Sequence, residues 1–140
     1  MKKLLQNMIF CIVLCASVFL LASCSRGLQG AEVKAHINEF FAAIVAENYS
    51  KAEDLLHPEC PADLKNFFND MEEAKSIDFQ EGIKIEEYSG FSSALYDSTV
   101  GGSIYELTMK TTVGKKNVEF TIQVVKNEAG FGIYHLDLNT

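Results

Sequence analysis

The sequence predicts an α+β fold in which three helices precede and pack on a curved, mostly antiparallel sheet of four or five strands. Up to Met71 the apolar residues recur at helical spacing, whereas from Ile83 onward they recur at every second position. Two long alternating segments are joined by Gly114-Lys115-Lys116-Asn117, which is typical of a β-hairpin. Helices grouped before an antiparallel meander favour the α+β class.

The first two helices are predicted from their apolar spacing and from the residues at their ends. The first spans residues 32–48, and its apolar stripe comprises Val33, Ile37, Phe40, Phe41, Ile44 and Val45. For the second helix we expect a capping box, with Ser50 as the N-cap and Glu53 three residues later. Pro58 ends that helix, because the residue before a proline avoids the helical conformation.

The segment His57-Pro58-Glu59-Cys60-Pro61 contains both prolines of the chain. A thiol three residues from an imidazole suggests a nucleophile and its base, but the sequence shows no third orienting group. We interpret the segment as a rigid turn between helices. A third helix is then predicted over residues 61–75, with Pro61 at its first position.

The strands are predicted after Gly82. Residues 83–88 form a short strand, residues 89–102 are less regular and include an edge strand, and Gly101-Gly102 is a break. The next two strands each present one apolar face, made by Tyr105, Leu107, Met109, Thr111 and Val113 in the first and by Val118, Phe120, Ile122 and Val124 in the second. A turn at residues 126–130 leads to a last strand over residues 131–138.

The beginning of the sequence has the features of a secretory signal. Two lysines precede an apolar stretch over residues 8–21, which is shorter than the roughly 20 residues that a membrane-spanning helix needs. The stretch ends in Leu21-Ala22-Ser23-Cys24, which resembles the lipobox of bacterial lipoproteins. Ordinary signal cleavage after an Ala-x-Ala-like site, using Ala16 or Ala22, is the alternative.

The lipobox resemblance implies where the protein is located. In that family the cysteine thiol receives a diacylglycerol and the chain is cut before it, so Cys24 is the expected lipidation site. Leu21, Ala22 and Ser23 are the expected recognition residues for cleavage. The resemblance therefore implies an extracytoplasmic protein that is lipid-anchored to a bacterial cell membrane. We expect a signal peptide over residues 1–23, a tether over residues 24–30 and one domain over residues 31–140.

Charge and cysteine usage restrict the partners and cofactors of the mature chain. Removing residues 1–23 takes away two lysines and no acid, which leaves 10 basic and 19 acidic residues and a net charge of −9. An acidic domain outside the cytoplasm is a poor partner for nucleic acid and for anionic lipid headgroups, so the lipid on Cys24 is the expected membrane contact. Only Cys60 remains as a free cysteine, and we expect no internal disulfide.

No metal or cofactor site is predicted from the histidines and glycines. His36, His57 and His135 show no ligand spacing, and His36 is expected on the polar side of its helix. The glycines lack the sequence context of a phosphate-binding loop.

Residues 40–56 and the segment Gly130-Phe131-Gly132-Ile133 resemble the nuclear transport factor two-like domains. Members of that family are cone-shaped, with helices packed into the concave side of a curved antiparallel sheet, as in other cystatin-like folds. They often have Trp where Phe131 stands, so the pattern differs there. The resemblance implies a fold rather than an activity, because this fold carries different functions.

Three functions are compatible with this fold. One is a binding module that takes a small apolar ligand or a peptide, and another is an accessory subunit that docks a cell-envelope protein by its sheet. The third is an enzyme resembling ketosteroid isomerase, which needs a carboxylate base in an apolar pocket. Glu106 and Glu119 are expected to face solvent, so Tyr105, Tyr134 and His135 are the best candidates to line a pocket. We favour non-catalytic binding and assign no catalytic residue.

Overall fold

The computed structural model describes residues 28–139. In this part of the chain three helices and a short 3-10 helix precede four strands, which confirms the α+β class: α1 (Gly30–Val45), α2 (Tyr49–Glu53), α3 (Leu64–Lys75), the 3-10 helix (Phe79–Glu81), β1 (Ile83–Asp97), β2 (Gly102–Val113), β3 (Lys116–Asn127) and β4 (Gly130–Asn139). The strands form one antiparallel sheet in the order β1-β2-β3-β4. The lipobox residues lie outside the described part.

The core lies between the helices and one face of the sheet. The apolar stripe of α1 is buried except for Val45, which is half-buried, and Phe41 packs on Phe120 of β3 with ring centroids 4.9 Å apart. Phe68 of α3 contacts Phe79 edge-to-face at 4.9 Å, which joins α3 and the 3-10 helix to the same core. Each fully buried side chain of this size contributes roughly 1.5–3 kcal/mol, so this aromatic cluster is a major part of the stability.

The start of α2 differs from the prediction. Asn48 is its N-cap and accepts a hydrogen bond from the Lys51 N–H at 3.2 Å, whereas Ser50 lies inside the helix. The predicted capping box is therefore wrong. The reason is that α1 ends at Val45 and Glu47 adopts a left-handed conformation, with φ of 53°, which reverses the chain just before Asn48.

Helix α3 also begins later than predicted. Asp63 caps it by accepting a hydrogen bond from the Asn66 N–H at 3.0 Å, so the helix starts at Leu64 and Pro61 lies before it. The helix starts at Leu64 because the Asp63 carboxylate accepts a hydrogen bond from an otherwise free N–H group of the first turn. The proline fixes the turn before the helix rather than the first turn itself.

Strand β1 is one long strand and not a short strand followed by a separate edge strand. Its pairing with β2 shifts register at three places, between Ile85 and Glu87, between Tyr88 and Gly90, and between Ala94 and Asp97. Such bulges interrupt the two-residue alternation, because an extra residue reverses the faces of all that follow. The irregular sequence after Ser89 is therefore the signature of a bulged edge strand.

The faces of β2 and β3 agree with the prediction. The predicted apolar positions of both strands are buried, except for Tyr105, which is half-buried near the start of β2. The turn between them consists of Gly114 and Lys115, and Gly114 has φ of 59°, a conformation that favours glycine.

Within residues 28–139 no helix has both the length and the apolar character needed to cross a bilayer.

The loop between α2 and α3 is attached to the outer edge of β4. Leu56 forms a parallel bridge with Ile133; the Ile133 N–H donates to the Leu55 carbonyl at 3.0 Å, and the His57 N–H donates to the Ile133 carbonyl at 2.8 Å. A Cβ atom at Gly132 would lie 2.6 Å from the backbone of Leu56 and His57. Only glycine permits this close approach.

We expect Gly132→Ala to lower the free energy of unfolding by about 1–3 kcal/mol, because the added methyl group meets backbone that cannot rotate away. Chemical denaturation of the two proteins measures the difference. Gly90→Ala is the matched control, since its Cβ would meet only the Thr108 side chain at an ordinary 3.5 Å. Equal losses in the two variants would contradict the close packing of this loop on β4.

Candidate functional site

A buried histidine holds the α2–α3 loop in place. His57 is 1% exposed, and its Nδ1 accepts a hydrogen bond from the Glu59 N–H at 3.2 Å. The ring proton is therefore on Nε2, which donates to the Asn127 Oδ1 at 3.0 Å. The Asn127 amide in turn donates to the Glu59 carboxylate and to the Val100 carbonyl, both at 2.8 Å. This network joins the loop to the β1–β2 and β3–β4 turns.

A second histidine fixes the same loop from the side of α1. The His36 Nε2–H donates to the Leu55 carbonyl at 2.8 Å, and its ring packs against Phe131 with centroids 4.6 Å apart. His36 is half-buried, so the expectation that it lies on the polar side of α1 is wrong. Its side chain is partly covered because it contacts this distant loop and Phe131 of β4.

The segment from His57 to Pro61 is a turn, as we interpreted it. Both ring nitrogens of His57 already have hydrogen-bond partners, which leaves it no free lone pair to accept a proton from Cys60. The Cys60 N–H donates to the His57 carbonyl at 2.9 Å and closes the turn. Cys60 itself is a half-buried free thiol.

An apolar groove lies between α3 and β4, and we call it the α3–β4 groove. Its volume is about 170 Å³, and its walls are Leu56, Cys60, Ala62, Leu64, Phe67, Ile133, Tyr134, His135 and Leu136. Pockets for whole small molecules usually have volumes of roughly 300–1,000 Å³. The α3–β4 groove is therefore suited to a single apolar side chain or a similarly small group.

A larger depression of about 750 Å³ lies at the other end of the sheet, near the Gly114–Lys115 turn. Its walls include Asp78, Glu81 and Lys116, which are exposed charged residues. Ligand sites combine mainly apolar walls with a few polar groups. The α3–β4 groove meets that description better despite its smaller volume.

Tyr134 and Cys60 are two polar groups of the groove wall, and the third is His135. Repulsion by the ionised form of Cys60, followed by burial and the carboxylate of Glu59, raises the pKa of the Tyr134 hydroxyl above its usual value. The phenol therefore remains a neutral hydrogen-bond donor at neutral pH. Its ring contacts the edge of the His57 ring at 5.4 Å, which connects the groove to the buried network.

The backbone edge of β4 is free beside the groove. Ile133 uses its outward N–H and C=O to bind the α2–α3 loop, and Tyr134 is the extra residue of a bulge that follows. The Leu138 N–H also points outward, where it donates to Oδ1 of the preceding residue, Asp137, at 2.9 Å. Leu136 lies two residues earlier and has the same orientation. Within residues 28–139 no backbone segment pairs with the outer edge at Leu136.

The structure brings together two of the three predicted pocket residues. Tyr134 and His135 both line the α3–β4 groove. Tyr105 lines a separate depression of about 300 Å³, where its ring stacks on Phe91 with centroids 6.4 Å apart. Tyr105 of β2 pairs with Val124 of β3, which pairs with Ile133 of β4. The depression around Tyr105 and the α3–β4 groove are therefore separated by two strand spacings, roughly 10 Å.

His135 lies at the outer rim of the groove. It is exposed and pairs in register with Gln123, whose Nε2 donates to the Glu106 carboxylate at 2.6 Å. Glu106 and Glu119 lie on the sheet face opposite the buried positions, as predicted. In the described part of the chain, the walls of the groove contain no carboxylate.

Sequence reasoning missed the apolar walls of the groove, above all Leu56, Phe67 and Ile133. These residues come from a loop, a helix and the last strand, and helical or strand periodicity does not show that they meet. Gly132 was the available signal, because a glycine inside a strand often marks a close backbone approach.

Across residues 28–139 no cluster of three or more His, Cys, Asp or Glu side chains is arranged to hold a metal ion.

Comparison of the chain with family models, with curated proteins and with solved structures finds no match. The geometry of the groove and its strand edge is therefore the basis for a functional proposal.

Proposed function

We propose that this protein is a bacterial lipoprotein, anchored outside the cytoplasm through lipid on Cys24, whose domain is a non-catalytic interaction module. The main support for the interaction role is the free edge of β4 beside the α3–β4 groove. The lipobox-like Leu21-Ala22-Ser23-Cys24 segment supports the anchor. A relation to the nuclear transport factor two-like domains stays a prediction, supported by the order of three helices before an antiparallel sheet.

The module binds an extended segment of a cell-envelope protein. An added strand pairs with the outward N–H and C=O groups of Leu136, next to the place where Leu55–His57 already pairs with β4. One apolar side chain of that segment fills the α3–β4 groove, whose volume of about 170 Å³ suits a single side chain. The Tyr134 hydroxyl donates a hydrogen bond at the groove wall.

A peptide is favoured over a small apolar ligand for two reasons. The groove is smaller than usual small-molecule pockets. It also runs beside an unpaired strand edge, and backbone hydrogen bonds to such an edge provide affinity for extended chains.

The alternative of an enzyme resembling ketosteroid isomerase needs a carboxylate base in an apolar pocket. The described walls of the α3–β4 groove, and those of the depression around Tyr105, contain no Asp or Glu. No contact in this part of the chain favours that alternative over binding.

We expect the native protein, purified from membranes, to have an intact mass that corresponds to a chain starting at Cys24 and carrying a diacylglycerol. Cys24→Ala removes the only acceptor thiol of the lipobox, so this variant is expected to lose the lipid and leave the membrane fraction. Cys60→Ser is the matched control and is expected to stay in that fraction. An unmodified wild-type chain in the soluble fraction would refute the anchor.

We expect peptides selected from a random library against the mature protein to bind at the edge of β4. Leu136→Pro removes the outward N–H without breaking a β3–β4 hydrogen bond, and it is expected to weaken such a peptide about tenfold, the equivalent of one hydrogen bond. Titration calorimetry measures the affinities. Leu136→Ala keeps the N–H and controls for the lost side chain. Peptides that bind Leu136→Pro as tightly as Leu136→Ala would contradict pairing at this edge.

A further inference from the structure

The bulged end of β1 exposes a group of large apolar side chains. Phe91 is 75% exposed, Leu95 81% and Tyr96 69%, and we call these three residues the β1 patch. Single exposed apolar residues are common, but several together on one short stretch mark an interaction surface. No described element covers them, and the α3–β4 groove lies at the opposite edge of the sheet.

The β1 patch lies next to the beginning of α1. A Cβ atom on Gly30 would be 2.8 Å from the Tyr105 hydroxyl, so the first residue of α1 touches Tyr105. The Tyr105 ring stacks on Phe91 at 6.4 Å. Ser93 is the register partner of Tyr105, and Leu95 therefore lies two residues or roughly 7 Å further along the strand.

The chain between the expected anchor and this surface is short. Leu28 packs against the core just before α1 begins. Cys24 precedes it by only four residues, which reach at most roughly 14 Å when fully extended. A lipid on Cys24 therefore holds the start of α1, and the β1 patch beside it, close to the bilayer surface.

We infer that the β1 patch is a second membrane contact, with Phe91, Leu95 and Tyr96 at the interface of the bilayer in which Cys24 is anchored. This inference rests on the lipid anchor proposed above. Aromatic side chains are enriched at the level of the lipid headgroups, where an apolar ring and a polar group are both accommodated. Lys34 lines the same depression as Phe91, and its Nζ lies 4.1 Å from the centre of the Tyr88 ring.

The contact depends on apolar burial and not on charge. The mature chain has a net charge of −9, which disfavours an electrostatic approach to anionic lipids. The Gly114–Lys115 turn follows the last residue of β2, Val113, which lies eight residues or roughly 27 Å from Tyr105 along the strand. Lys115 is exposed and far from the β1 patch, so it provides the matched control position.

The sequence contains no tryptophan, and a single indole therefore reports on one position. Leu95→Trp and Lys115→Trp are made in the full-length chain, purified in lipidated form and reconstituted into phosphatidylethanolamine–phosphatidylglycerol vesicles that contain lipids with brominated acyl chains. We expect the emission of Leu95→Trp to shift to shorter wavelength and to lose most of its intensity to bromine quenching. The emission of Lys115→Trp is expected to stay that of an indole in water.

Quenching of Leu95→Trp that does not exceed that of Lys115→Trp would overturn the inference. The intact mass of the same samples separates the two proposals. A lipidated chain without quenching at position 95 overturns the membrane contact alone. A chain without lipid overturns the anchor and the membrane contact together.

Discussion

The hydrogen-bonded contact between the α2–α3 loop and Ile133 of β4 is the constraint on which the rest of the site depends. It is held from three sides: by the His57–Asn127 hydrogen bond, by the His36 bond to the Leu55 carbonyl, and by the close approach that Gly132 permits. Buried polar groups must find partners, and the ring nitrogens of His57 are bonded to the Glu59 N–H of the loop and to the Asn127 side chain at the end of β3. By covering Ile133 and then turning away, the loop creates a groove and leaves the next part of the strand edge unpaired.

The two outer strands of the sheet have different surroundings, which would let one small domain make the two contacts proposed above. The free edge of β4 lies beside an apolar groove and is suited to an extended peptide. The bulged end of β1 carries exposed aromatic side chains beside the start of α1. A short tether to the membrane would place the β1 end against the bilayer and direct the β4 edge towards partners. Edge strands are otherwise a liability for aggregation, so two such contacts would also protect the protein from it.

Sequence periodicity was sufficient for α1 and for the faces of β2 and β3, because each of these elements buries a regular stripe against one core. It failed where the structure depends on contacts between distant parts of the chain. The bulges of β1 removed its alternation, Asn48 and Asp63 replaced the expected helix starts, and the α3–β4 groove joined a loop to the last strand. Tyr134 and His135 were found as candidates because aromatic and imidazole groups in an apolar strand are conspicuous, whereas Leu56 and Phe67 resemble ordinary core residues.

Amide hydrogen exchange of the mature protein in detergent micelles tests the free edge of β4 most directly. The Ile133 N–H is bonded to the Leu55 carbonyl and is expected to exchange slowly, at a rate close to that of the core strands. The Leu136 N–H faces outward without a backbone partner in the described chain, and it is expected to exchange orders of magnitude faster. Slow exchange at both residues in the unliganded protein would show that the edge is already covered and would contradict a docking site there.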